Sequence, residues 1–183
     1  MAPDSPRGPD LSPLRGIVAP EILYAAETAS RKLREAGIPH ALAGGLAVGA
    51  HGYPRTTDDV HFLVGDEAFE EHAGGLVTLK LPLVSVNGVR VDFVSLADSE
   101  EEHDQTRAAV DSPPSAEDVP IVPLPVLVYM KLKAGRQKDL ADLVELLKRG
   151  RIEIDVVDRY LGESAPHQVR RWERVKEIAA REE

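Results

Sequence analysis

The sequence predicts an α+β fold, and three patterns predict it. Between Ala41 and Val64 (ALAGGLAVGAHGYPRTTDDVHFLV) an apolar run breaks at Gly44-Gly45. A short apolar helix follows, and beyond Pro54 the side-chain period falls to two. Asn87-Gly88 is a two-residue hairpin signal, and Val89 to Leu96 behind it alternates between faces. From Val126 onward helical spacing dominates. The expected organisation is a Pro-rich arm over residues 1–18, an α/β core over 19–123 and a helical segment over 124–183 packed on that core.

In order along the chain, residues 1–18 hold four prolines and two glycines with scattered charge, the composition of a loosely attached arm. Pro20-Glu21 opens a helix with Ile22, Leu23, Ala26, Ala29 and Leu33 at helical spacing, and Gly37-Ile38-Pro39 stops it. His40 to Ala43 is the first strand. Leu46 to His51 is a short buried helix, with Gly52 as a left-handed cap and Pro54 barring continuation. From Arg55 the strand pattern places Arg55, Thr57, Asp59 and His61 on one face and Val60, Phe62 and Val64 on the other. Asp58 points away from Asp59. A short acidic helix is expected over 65–72, ending at Gly74-Gly75. Leu76 to Val86, interrupted by Pro82, reads as one bent strand or two short ones.

In the strand beginning at Val89, Val89, Val91 and Phe93 share one face, and Arg90, Asp92 and Val94 the other. Asp92 needs a partner there, for which Arg90 or a nearby lysine would serve. Residues 97–119 are an acidic surface connection with a Pro-Pro break and a short helix over 101–110. Val126 to Ala134 is a helix capped by Gly135, and Gln137 to Arg149 an amphipathic helix with Leu140, Leu143, Val144 and Leu147 in its stripe. Lys138 and Asp142, four apart, are expected to pair at the surface, and Asp139 to stabilise the first turn locally. Ile152 to Leu161 reads as a short strand or turn leading into a helix, with Asp155 as N-cap. A last helix runs from Pro166 to Arg181, with Val169, Trp172, Val175 and Ile178 or Ala179 facing the domain. Its Arg170, Arg171 and Arg174 are the one concentrated basic patch, either a solvated face or a contact for nucleic acid.

Composition narrows the function. The chain has 183 residues, 43% of them apolar, enough for a substantial core built from Leu, Val, Ala and Ile. With no cysteine there is neither a disulfide nor a thiolate metal site. The N-terminal residues lack the apolar stretch of a signal peptide, and no apolar run is long enough to span a bilayer, so a cytoplasmic protein without membrane contact is expected. A net charge of −9 argues against general binding of long nucleic acids, while leaving room for a local patch that meets one RNA end.

The row Arg55, Thr57, Asp59, His61 suggests a site. A helix start behind two glycines offers backbone N–H groups to an anion, and a carboxylate on the next strand can hold a divalent cation beside it. The same residues also suit a tight turn followed by an amphipathic strand.

This stretch resembles the nucleotidyltransferase superfamily, the fold of DNA polymerase beta, and most of all its small bacterial branch with the AbiEii and MenT-type toxin nucleotidyltransferases. The family pattern is a glycine pair, a short helix, Asp-x-Asp on the next strand and a third carboxylate on a later one. Gly44-Gly45 match the turn, Arg55 and Thr57 the lead into the strand, Asp59 the first carboxylate and Asp92 the third. LVYMKLKAGRQKDLADLVELL resembles the branch's C-terminal part, with Lys131 at the phosphate-facing lysine; otherwise Lys131 is a solvent lysine complementing a helix C-terminus. The likeness spans residues 38–147. It implies a mixed β-sheet with helices packed on it, followed by a C-terminal helical segment.

The implied activity is transfer of a nucleoside monophosphate from an NTP to a hydroxyl acceptor, an RNA end, a protein or a small molecule. Asp59, His61 and Asp92 would be the catalytic and metal-binding residues for Mg²⁺ or Mn²⁺. Gly44, Gly45, Arg55, Thr57 and Lys131 would hold the phosphates. The departure is His61, which stands where the family has its second carboxylate. Three readings follow: a single metal or Mn²⁺ with His61 as ligand, His61 as a base toward the acceptor, or a degenerate site kept for nucleotide binding or for a toxin–antitoxin-type protein partner.

Overall fold

The fold comes from a computed structural model that describes residues 9–73, 76–80, 84–95, 100–111 and 119–182. Helix α1 (Pro20–Glu35) starts on Pro20, whose missing N–H costs nothing in a first turn. It buries Ile22, Ala25, Ala26, Ala29 and Leu33 and ends at Gly37, where φ is +69°. Strand β1 (His40–Ala43) leads directly into α2 (Gly44–Ala50), and β2 (Asp59–Val64) follows a turn. Next come β3 (Phe69–His72), β4 (Leu76–Leu79), β5 (Ser85–Val86) and β6 (Val89–Val94). The rest is helical: α3 (Glu100–Val110), α4 (Leu124–Ala134), α5 (Gln137–Lys148), α6 (Ile154–Ser164) and α7 (Pro166–Arg181).

The architecture is α+β. A four-stranded sheet has the order β1-β2-β6-β5, with β1 antiparallel to β2, β2 parallel to β6 and β5 antiparallel to β6, so the sheet is mixed. β3 and β4 form a separate two-stranded ribbon. Strand alternation splits the core in two. Leu42, Val60, Phe62, Val64, Val89 and Val91 point toward α1, with Ile22 and Leu33. Ala41, Ala43 and Leu63 point the other way, into a layer built from α4 to α7 around Leu127, Leu132, Leu143 and Trp172. Asp59 and His61 share the face of Leu63, so they lie on the side of the C-terminal helices.

Several elements differ from expectation. The stretch 65–72 is not a helix: a single 3₁₀ turn, Asp66–Ala68, gives way to β3, because Phe69 to His72 has an antiparallel partner in β4. Its expected Gly74-Gly75 end lies outside the described residues, as do Pro82, Leu96, the Pro-Pro break and residues 1–8. Of the two readings of Leu76 to Val86, the two short strands form, as β4 and β5. Arg55 and Thr57 precede β2, which starts at Asp59. Of the strand and the turn expected before α6, the turn forms; the N-cap is Glu153 and not Asp155, which lies inside the first turn. Of the expected arm, residues 11–18 fold onto the core: Leu14 is fully buried against α2, where a Cβ on Gly49 would collide with it. The hairpin at Asn87-Gly88 forms as read, with φ of 49° and 82°. Among the described residues no helix is long and apolar enough to cross a membrane.

Candidate functional site

The register of the two central strands builds the site. In the parallel β2–β6 pair, Asp59 lies opposite Arg90 and His61 opposite Asp92. Positions two apart on a strand share a face, so all four side chains project to one side. They form a square in which a carboxylate is next to a nitrogen base on every edge. Arg90 reaches Asp59 at 3.0 Å and Asp92 at 3.0 Å. His61 lies 3.5 Å from Asp59 through Nδ1 and 3.4 Å from Asp92 through Nε2. The 3.5 Å contact lacks hydrogen-bond geometry, so Nδ1 is buried with no hydrogen-bond partner. One donor atom from each of Asp59, His61 and Asp92 lies within 4.8 Å of the others, the spacing of a divalent-cation site. The donor set of two carboxylates and an imidazole, together with the orphaned nitrogen, fits such an ion, and suits Mn²⁺ better than Mg²⁺.

Burial pushes the Asp59 carboxyl up, but His61, Arg90 and the Thr57 hydroxyl, which donates to it at 3.1 Å, outweigh that and hold it below the usual carboxylate range. Gly44 and Gly45 make room for this arrangement. Gly44 has φ +64°, and a Cβ there would lie 3.0 Å from Nδ1 of His61. A Cβ on Gly45 would meet Thr57 Oγ1 at 2.9 Å. The glycine pair therefore lets the site's own side chains close over the turn, whatever else its N–H groups do.

A second charged layer lies behind the square. Arg55 donates twice to Asp142, at 2.6 and 2.7 Å. Lys131 donates to Asp142 at 2.8 Å and to Asp139 at 2.7 Å, and Arg136 donates to Asp139 at 2.6 Å. Lys131, Asp139 and Asp142 are all buried. Burial raises both aspartates, yet Arg55 and Lys131 at Asp142, and Arg136 and Lys131 at Asp139, hold both below the usual range. Asp142 keeps the Arg55 guanidinium protonated to still higher pH, against the cost of its burial.

Lys131 is thus neither a solvent lysine nor a free one. The expected surface pair of Lys138 with Asp142 does not form, because Asp142 faces inward on one stripe with Asp139, Leu143 and Leu146.

These layers line one cleft of about 400 Å³. Gly44, Gly45, Thr57, Asp59 and His61 form one wall; Lys131, Lys133, Arg136 and Lys138 form the other; and Val94, Leu127 and Met130 supply apolar surface. The structure brings Gly44, Gly45, Arg55, Thr57, Asp59, His61 and Lys131 into this cleft, with Asp92 beside His61. Sequence reading missed Arg136 and the inward Asp142, although Asp139, Asp142, Leu143 and Leu146 at i, i+3, i+4 and i+7 carried the signal. The basic residues of α7 lie elsewhere, along an open groove; there Arg171 donates to the Leu132 carbonyl and ties α7 to the end of α4. No protein-family model and no curated protein matches the chain.

Proposed function

We propose that the cleft binds a nucleoside triphosphate together with a divalent metal and transfers the nucleoside monophosphate to a hydroxyl acceptor. One observation carries the reading: Asp59 and His61, with Asp92 beside them, face Lys131, Lys133, Arg136 and Lys138 across a cleft of about 400 Å³, a volume suited to a small ligand. Asp59, Asp92 and His61 would hold the metal. A divalent ion bound there supplies charge neutralisation for the triphosphate and lowers the pKa of a bound hydroxyl. Lys138, and Lys133 and Arg136 once released from Glu102 and Asp139, would meet phosphate oxygens, and Leu127, Met130 and Val94 would cover an apolar ring. In the reaction the acceptor oxygen bonds to the α-phosphorus as the bond to the β-phosphate oxygen breaks. Pyrophosphate leaves, and the acceptor proton passes to water, since an imidazole already bound to the ion has no lone pair left to take it. RNA ends, proteins and small molecules all offer such a hydroxyl.

A second reading has its own observation. Arg55 and Lys131 are already held by Asp142 and Asp139, and both carboxylates of the square already face Arg90. A site so neutralised suits a fold that keeps nucleotide binding, or a protein partner, without transfer. Incubation with α-phosphate-labelled NTPs and candidate acceptors separates the two. The transferase reading expects label on an acceptor with wild type and none with Asp59→Asn. Label that appears only with His61→Asp would establish the second reading, and binding without any transfer in any variant would do the same.

A further inference from the structure

We infer that Arg90 is a built-in counter-cation that a divalent ion must displace from Asp59 and Asp92, so that metal loading is an exchange rather than a simple filling. The inference rests on the metal reading of the square given above. It follows from register: the β2–β6 pairing places Arg90 opposite Asp59 and two positions from Asp92 on the same face. Its guanidinium reaches one oxygen on each carboxylate, Nη2 to Asp59 Oδ2 and Nε to Asp92 Oδ2, both at 3.0 Å. Those two carboxylates are also the oxygen donors of the candidate metal group. A guanidinium and a dication on the same pair repel one another, and the carboxylates serve one at a time.

The exposure of Arg90 makes the exchange feasible. About two thirds of its side chain is open to solvent, against about a quarter for Asp59 and for His61. Arg90 can therefore leave by side-chain rotation, with no change in the strands. The contacts it gives up are exposed ion pairs, individually weak. His61, behind the carboxylates with an orphaned Nδ1, stays as the third donor. Arg90 thereby sets a threshold for metal: without an ion the two aspartates stay neutralised, and only an ion that outbids the arginine enters.

The test is Mn²⁺ alone, without nucleotide, titrated by calorimetry and by the loss of the free-ion electron spin resonance signal. The proteins are wild type, Asp59→Asn, Arg90→Gln, Arg90→Lys and the double variant Arg90→Gln/Asp59→Asn. Arg90→Gln is expected to bind Mn²⁺ about tenfold more tightly than wild type, the ratio that two exposed ion pairs of ordinary strength account for together. Arg90→Lys should fall between them, and Asp59→Asn should remove the binding. Equal or weaker binding by Arg90→Gln, with Asp59-dependent binding in wild type, overturns the exchange and leaves the metal site standing. No Asp59-dependent binding in either protein overturns the exchange together with the metal reading.

Discussion

At the scale of the residue, Asp142 is the most consequential carboxylate outside the square. It accepts from Arg55 and Lys131 at once, and removing it strands the largely buried Arg55 and leaves Lys131 with Asp139 alone. Asp142→Ala should therefore cost about 3–5 kcal/mol in denaturant unfolding, the range for breaking a buried ion pair from one side. Arg136→Gln removes a cation that is mostly exposed and should change stability by no more than about 1 kcal/mol. Equal losses for the two variants would contradict this ranking. Acid tests the same charges. Asp59, Asp139 and Asp142 have lowered folded pKa values, so their contribution is complete above the unfolded value of about 3.9 and is lost as pH falls through the folded ones.

His40 and His51 act at higher pH. Burial lowers both, with Arg34 adding to it at His40, against hydrogen bonds to the carbonyls of Ile38 and Val122, so each favours folding above about pH 6.5 and loses that contribution as pH falls through its folded value. Each carbonyl can only accept, so His40 donates from Nδ1 and His51 from Nε2. Stability should decline from pH 7 to pH 5, and less steeply in His51→Gln, whose amide can still donate to Val122. An unchanged slope in that variant would remove His51 from the account.

At the scale of the element, the turn before α2 and the anchor of α7 give the clearest expectations. Gly44→Ala places a side chain at φ +64° beside the His61 ring, so it should destabilise by about 1–2 kcal/mol and weaken metal binding as well. A loss of stability with intact Mn²⁺ affinity would show that the close approach serves only the turn. Trp172 is fully buried and donates through Nε1 to Asp158 at 2.6 Å. Trp172→Ala should cost roughly 3–5 kcal/mol by thermal or denaturant unfolding. The elements legible in the sequence were those whose period was long or whose turn residues were specific: α1, the Asn87-Gly88 hairpin, α5 and α7 all lie close to their expected bounds. The acidic stretch 65–72 was misread because its composition favours a helix locally, while pairing of β3 with β4 depends on residues several positions away. The orientation of α5 was misread for a different reason. Asp139 and Asp142 count as polar in any apolar stripe, and only their cations on α4 and before β2 make it favourable to bury them.

At the scale of the whole molecule, the sheet sorts the chain into an apolar layer with α1 on one face and a layer of α4 to α7 on the other, with the cleft beside the latter. The chain carries a net charge of −9, yet one cleft wall collects Lys131, Lys133, Arg136 and Lys138. A local cationic wall on an acidic protein suits a small polyanion better than a long one, since a long polyanion would also meet the repulsion of the remaining surface. The shared strand face of the candidate residues Asp59, His61 and Asp92 was legible one strand at a time from alternation. Their closure into a square with Arg90 required the parallel register, which sequence alone does not set. The measurement that bears most directly on the central claim is calorimetric titration of each NTP, with Mg²⁺ and separately with Mn²⁺, into wild type and Asp59→Asn. The account predicts saturable, metal-dependent binding to wild type, stronger with Mn²⁺, that Asp59→Asn abolishes. Absence of heat with every NTP and both metals, from folded protein, would contradict it.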